Sequence, residues 1–215
     1  MKYLGMAVCC AFSSALLTAN VHAGRPLTVD DANTNETGHG HVELWFAAEE
    51  DGKRQWNVAP AFAPVDNVEL SAVVSRSTEP RQTNYAIQAK WVLLPSQRDG
   101  CNPAVTGGVS RNSATSGTTP YGNVIVTCNT ELGTFHLNAG AYRERGSSAV
   151  ATWGMAAERE FAQVTAHVEL FGERGSKPTV QLGARTALMP RIQIDGTIGL
   201  RARTALYSVG VKLQL

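Results

Sequence analysis

The residues best equipped for chemistry in this 215-residue chain are histidines and acids placed two apart. His39, His41 and Glu43 alternate, as do His167 and Glu169, and His136 stands among similarly alternating neighbours. In extended backbone, residues two apart share a face. His39, His41 and Glu43 could therefore turn imidazole and carboxylate groups toward one cation. No further ligand is specified, and solvated or enclosed polar residues are the better reading. Hydrolysis by Ser, His and an acid is a second chemistry, with His136, His167 and Glu169 as its base and partner. The chain has no Gly-x-Ser-x-Gly elbow and no serine spaced to pair with a base. The sequence therefore predicts no catalytic residue, no metal and no cofactor. A third chemistry is electrostatic. Glu43, Glu69, Glu169 and Asp195 oppose Lys90, Arg185, Arg201 and Lys212, all deep within alternating stretches. Such rows can line a watery path and tune its selectivity, or pair across an enclosed space and conduct nothing.

The elements that must position these residues have a period of two. The stretch ending the chain sets the pattern: Tyr207, Val209, Val211, Leu213 and Leu215 are apolar, with Ser208, Gly210, Lys212 and Gln214 between them. A helix would need a period near 3.6, so this is a strand with one greasy and one polar face. Val42, Leu44, Phe46 and Ala48 repeat the pattern. Trp56 to Phe62 follows, with Pro60 inside it, then Val68 to Val74 and the clear strand Tyr85 to Leu93. The middle is weaker: Pro95 to Pro103 reads as a turn region holding Cys101, Ala104 to Arg111 as a strand of uncertain standing, and Tyr121 to Cys128 as a strand. Regular alternation returns in Phe135 to Tyr142, Ala149 to Glu158, Val164 to Leu170, Val180 to Leu188 and Ile192 to Arg201.

This makes about twelve strands (ten to twelve), the even number that single-chain bacterial barrels have. Short connections (Pro64 to Asn67, Arg159-Glu160, Met189-Pro190) alternate with longer polar ones. The longer set is Glu49 to Lys53, Arg76 to Asn84, Asn112 to Pro120, Arg143 to Ser147 and Gly172 to Lys177. The expected fold is all-β: a closed antiparallel up-and-down transmembrane β-barrel over residues 41–215, with short periplasmic turns, longer outer loops and both termini in the periplasm.

Composition agrees. Met1 to Ala23 reads as a cleaved signal peptide, with Lys2 as its basic end, Leu4 to Leu17 as its apolar core and Val21-His22-Ala23 as its cleavage site. Cys9 and Cys10 belong to that apolar core. Removing Lys2 takes the formal charge from +1 to about zero, which gives no reason to expect nucleic acid. Residues 24–40 are polar and aperiodic, an arm lying in the periplasm or tucked into a barrel mouth. Cys101 and Cys128 fall at the periplasmic rim of adjacent staves, so a Cys101–Cys128 disulfide is expected in the oxidising periplasm.

Three features favour a membrane over a soluble barrel. Charge lies deep in the strands. Trp45, Trp56, Trp91, Trp153, Tyr85 and Tyr207 sit mostly near strand ends, as interfacial aromatics do. A sheet in lipid must also close. The closing strand resembles the terminal strand read by the barrel-assembly machinery of Gram-negative outer membranes, except that it ends in Leu215 rather than Phe or Trp. The opening Gly24-Arg-Pro-Leu-Thr-Val-Asp-Asp-Ala32 and Gly-His-Val-Glu-Leu resemble barrels of the "MetA-pathway of phenol degradation" family. So do Phe135 to Gly140, Thr152 to Ala156, His167 to Glu173 and Pro190 to Gly196. That resemblance implies an outer-membrane barrel concerned with small aromatic or hydrophobic compounds, and no catalytic residues. The function expected is a narrow channel or transporter for small molecules, embedded among outer-membrane lipids and lipopolysaccharide. A non-conducting structural or surface-interaction barrel is the alternative, and a lipid-modifying enzyme the remoter one.

Overall fold

The computed structural model describes residues 25–94 and 99–215. The signal-peptide reading, with Cys9 and Cys10, lies outside the described residues. Twelve strands follow in order: β1 Gly40–Glu49, β2 Arg54–Val65, β3 Val68–Thr78, β4 Arg81–Val92, β5 Gly100–Asn112, β6 Thr119–Thr130, β7 Gly133–Tyr142, β8 Val150–Phe161, β9 Val164–Glu173, β10 Thr179–Met189, β11 Ile192–Arg201 and β12 Thr204–Gln214. Each pairs antiparallel with its sequence neighbours. β1 and β12 then close the ring, from His41 opposite Gln214 to Glu49 opposite Leu206. Closure leaves no edge with unpaired N–H and C=O groups, which is the condition for a sheet in hydrocarbon.

The two parities face opposite ways. Leu44, Leu70, Ile87, Leu182, Ile198 and Val209 are on the outside, with Ile87 and Val209 each 62% exposed. Lys212 and Glu169 are 1% exposed and His136 is wholly enclosed. A water-soluble barrel has the reverse arrangement. The greasy exterior and charged interior are those of a membrane barrel.

The connections differ from the sequence reading in detail. Arg76 to Asn84 is not a long loop: β3 and β4 stay paired to Thr78 opposite Arg81, leaving only Glu79 and Pro80 between them. The outward apolar parity ends near Val74 and Tyr85, which made the polar tips of both strands look like loop. Arg159 and Glu160 belong to β8, and the turn there is Ala162-Gln163. Likewise Met189 belongs to β10, and its turn is Pro190-Arg191. Cys101 is inside β5 rather than in the connection, directly opposite Cys128 of β6, and the two form a disulfide. Both are on the outward parity at the short-turn end.

The weak middle has a physical cause. The inward parity of β4, β5 and β6 carries Val92, Ala104 and Ile125, all buried, in addition to the buried alanines that β2 and β8 carry inward. With apolar residues on both faces, the period of two fades. What these residues pack against is the N-terminal segment. Residues 25–35 run inside the barrel and the exposed residues 36–39 turn the chain into β1, and Ala32 joins Val92, Ala104 and Ile125 in one apolar cluster.

Candidate functional site: the lumen and the segment that fills it

The N-terminal segment is held by directed contacts from nearly every side of the lumen. The Arg25 guanidinium donates to Asp195 Oδ1 at 2.8 Å and Ser208 Oγ at 3.0 Å, and stacks 4.8 Å from the centre of the Trp45 ring. Its backbone N–H donates to Glu43 Oε1, and its carbonyl accepts from Gln193 Nε2. The next hold is Glu169: Thr28 and Val29 both donate their backbone N–H to Oε2, at 2.7 Å each, while Oε1 accepts from Gln181. Asn138 then clamps Asp30 from both directions, accepting its N–H and donating to its carbonyl, each at 2.8 Å. Lys90 Nζ donates to Asp30 Oδ1 at 2.6 Å and lies 3.9 Å from Asp31. Ala32 N–H donates to Thr127 Oγ1, and Asn35 donates through backbone and side chain to Glu69 Oε2. Gly38 and His39 finally pair with Ala63 of β2.

Two glycines shape this seat. A Cβ on Gly154 would stand 2.8 Å from Val29 Cγ2; one on Gly210 would stand 2.8 Å from Asp195 Oδ2 and 3.0 Å from Arg25 Nε. Buried backbone N–H groups need acceptors. An irregular segment can lie in a lumen only if the wall supplies them, and Glu69, Thr127, Asn138 and Glu169 do so.

Every lumen-lining candidate from the sequence can now be placed. Glu43, Glu69, Lys90, His136, His167, Glu169, Arg185, Asp195 and Lys212 are enclosed in the half of the barrel nearer the short turns. Arg201 is the exception. It stands at the opposite rim, partly exposed, donating to Glu49 Oε2 at 2.8 Å. The inward charges meet partners rather than standing as open rings. Arg185 grips Glu158 with two donors, one of them Nη2 to Oε2 at 2.9 Å. Lys212 Nζ lies 3.4 Å from Glu43. His136 lies between Thr127 Oγ1, at 2.9 Å from Nδ1, and Glu158, at 3.5 Å from Nε2. His167 Nε2 is 3.6 Å from Glu169. Among the described residues no serine joins either histidine, and no group of three His, Cys, Asp or Glu side chains could hold a metal ion. His39 is exposed while His41 is enclosed against Asn35, so the alternating trio at the start of β1 does not converge. Burial in the lumen pushes the Asp31 carboxyl above its ordinary range, with Lys90 pulling the other way.

The residues sequence reasoning missed are Arg25, Asp30 and Asn35 on the segment and Asn138, Glu158, Thr127 and Gly154 on the wall. The wall residues were visible as inward parity. Nothing periodic in residues 25–39 marks which of them would be seated.

Above the segment the lumen opens as a cavity of about 1670 Å³, reaching the longer loops. Its wall is lined by Gln55, Asn57, Asn84, Gln88, Asn123 and Asn138, with Trp45 and Tyr121 among them. Glu43, Glu69 and Lys90 border its floor together with Asp30, Asp31 and Arg25; between that floor and the rim the described inward strand residues carry no charge, and at the mouth the exposed loops add Glu144, Arg145 and Lys177. There Glu49 meets Arg201 and Lys53, and Glu173 accepts from Tyr142 and Ser176.

Solved structures share this architecture. The KdgM porin, in a structure with disordered oligogalacturonate, is 13% identical, with 81% of this chain and 99% of that chain covered and a TM-score of 0.73. The NanC porin is 10% identical over 81% of this chain and all of that one, with a TM-score of 0.65. Omp33 of Acinetobacter baumannii is 7% identical over 82% and 98%, with a TM-score of 0.54. At these identities the likeness is one of fold. No curated protein matches this chain in sequence. Residues 12–208, most of the chain, match the model of the family described as Uncharacterised conserved protein UCP029691, and the chain belongs to that family.

Proposed function

We propose that this protein is an outer-membrane channel for small polar solutes whose path is controlled by its own N-terminal segment. The supporting observation is the seat itself. A polar lumen, wide enough to leave a cavity of about 1670 Å³ toward the loops, is obstructed toward the turns by a segment held through reversible hydrogen bonds and ion pairs. The porin-like architecture supports a role in solute passage across the outer membrane. In this reading residues 1–23 direct export and are removed, the short turns and both termini lie in the periplasm, and β12 is read by the barrel-assembly machinery. The apolar belt meets lipid and lipopolysaccharide.

The resemblance to phenol-degradation barrels points to aromatic or hydrophobic solutes. The amide- and hydroxyl-rich wall favours polar ones. The lumenal charges serve chiefly to seat the segment, so ion selectivity is a secondary property. A non-conducting structural barrel is the second reading, favoured by the complete burial of Ala32, Ala104 and Ile125 at the turn end. Liposome swelling separates the two. Proteoliposomes holding the mature protein or its Glu169→Ala variant are diluted into isosmotic glycerol. The channel reading expects slow swelling with the mature protein and faster swelling with the variant. No swelling from either, with both shown to be folded by heat-modifiable gel migration, would leave the structural reading standing.

A further inference from the structure

We infer that the cavity above the N-terminal segment is a binding site for a neutral, polyhydroxylated solute of the kind a short neutral oligosaccharide represents. The inference rests on the channel reading and names its substrate class. It comes from how charge is distributed along the lumen. Glu43, Glu69, Glu158, Glu169 and Asp195, with Lys90, Arg185 and Lys212, all lie toward the turns, paired with one another or with the segment. Some of these charges and of the segment's own border the cavity floor: the acids Asp30, Asp31, Glu43 and Glu69 and the cations Arg25 and Lys90; Glu144, Arg145 and Lys177 border only its mouth, on exposed loops where pairing with a charged solute is worth little. Arg25 is committed to Asp195, and Lys90 to Asp30 and Asp31. An anionic solute would have to displace a buried carboxylate from one of them, and a cationic solute would have to displace a buried cation. Breaking a buried pair in that way is costly.

The wall offered to a solute is different in kind. Asn57 on β2, Asn84 and Gln88 on β4, Thr106 on β5 and Asn123 on β6 all border the cavity. An amide both donates and accepts, as a hydroxyl does, so this wall complements a solute bearing many hydroxyls. Some groups are already arranged by their neighbours: Tyr121 Oη donates to Gln88 Oε1 at 3.2 Å, and Asn123 Nδ2 donates to Asn138 Oδ1 at 3.0 Å. Tyr121, and the face of Trp45 that Arg25 does not cover, add flat apolar surface beside the amides, matching the C–H faces of a sugar ring. A purely aromatic solute would desolvate the amide donors and acceptors that their neighbours leave over, at about 1–3 kcal/mol for each group left unpaired. Size agrees as well. The cavity exceeds the roughly 300–1,000 Å³ of clefts that enclose a drug-sized ligand, so it has room for several linked rings.

The test uses the mature protein, refolded in a detergent without a sugar headgroup, and saturation-transfer NMR with three probes: maltotriose, trigalacturonate and benzoate. The inference expects a maltotriose signal, and a loss of at least tenfold in apparent affinity in the Gln88→Leu, Asn57→Leu double variant. Trigalacturonate and benzoate should give no comparable signal. Should the double variant lose heat-modifiable migration, Asn123→Leu replaces it. Binding of trigalacturonate or benzoate as tightly as maltotriose would overturn the inference. So would absence of maltotriose binding, or maltotriose binding unchanged in the folded variant. The swelling assay, run in parallel, keeps the two readings distinguishable. Maltotriose binding without solute flux removes the channel reading and leaves the site; flux without a preference among the probes removes only the site.

Discussion

Glu169 takes two backbone N–H groups of the N-terminal segment on one oxygen and Gln181 on the other. Replacing it with alanine leaves the N–H groups of Thr28 and Val29 without their acceptor, at about 1–3 kcal/mol for each. The expected outcome is a rise of at least tenfold in the open fraction, read as protease cleavage within residues 25–38. Glu169→Gln keeps an acceptor oxygen and should recover most of the closed state. Equal cleavage of all three proteins would remove Glu169 from this role. Gly154→Val tests the seat without touching charge: its Cβ would press against Val29, so cleavage should again rise while the barrel stays folded. At this scale the sequence was half legible. Parity put Lys90, Glu169 and Lys212 inside. It could not say what they meet: Lys90 and Glu169 meet an aperiodic segment far away in the chain, and Lys212 meets Glu43 across the β1–β12 closure.

At the scale of the element, alternation was enough wherever one face met lipid and the other polar groups. It failed in two places for different reasons. The tips of β3 and β4 are polar on both parities, so Arg76 to Asn84 resembled a loop. β5 and β6 each carry an apolar residue on the inward parity, Ala104 opposite Ile125, which interrupts the alternation because both pack on Ala32. That ambiguous pair of strands is the one carrying the disulfide between Cys101 and Cys128. Intact mass of the mature protein should gain two hydrogens on reduction; two thiols before reduction would contradict it. Closing a loop with a sequence separation of 27 residues confines the unfolded chain. The Cys101→Ser, Cys128→Ser variant should therefore lose stability, about 3.5 kcal/mol by the chain-entropy argument, seen as a lower urea midpoint. An unchanged midpoint would show that the strand pairing of β5 and β6 is sufficient alone.

Across the whole molecule, closure, inversion and stratification belong to one account. Closure follows from apolar outward faces that need a sheet without edges. Inversion puts the charged parity inside, where a buried charge needs partners. Stratification places many of those partners toward the turns, where the chain's own N-terminal segment meets them, and leaves a belt of amides and hydroxyls between the charged floor and the charged mouth of the cavity. Strand number and topology were legible from the alternation; the facing of charge was not legible from parity alone and came from the aromatic residues near strand ends and the need for closure. The segment's course was not legible, since hydrogen bonds between irregular backbone and a distant wall have no period.

The central claim is that this segment is a reversible plug. Single-channel conductance in planar bilayers tests it, comparing the mature protein with a variant lacking residues 25–38, both shown to be folded barrels by circular dichroism and heat-modifiable migration. The account predicts a mature protein that is closed or opens in rare, small steps, and a variant with frequent, larger and discrete ones. Identical conductance in the two, or silence from both, would contradict it.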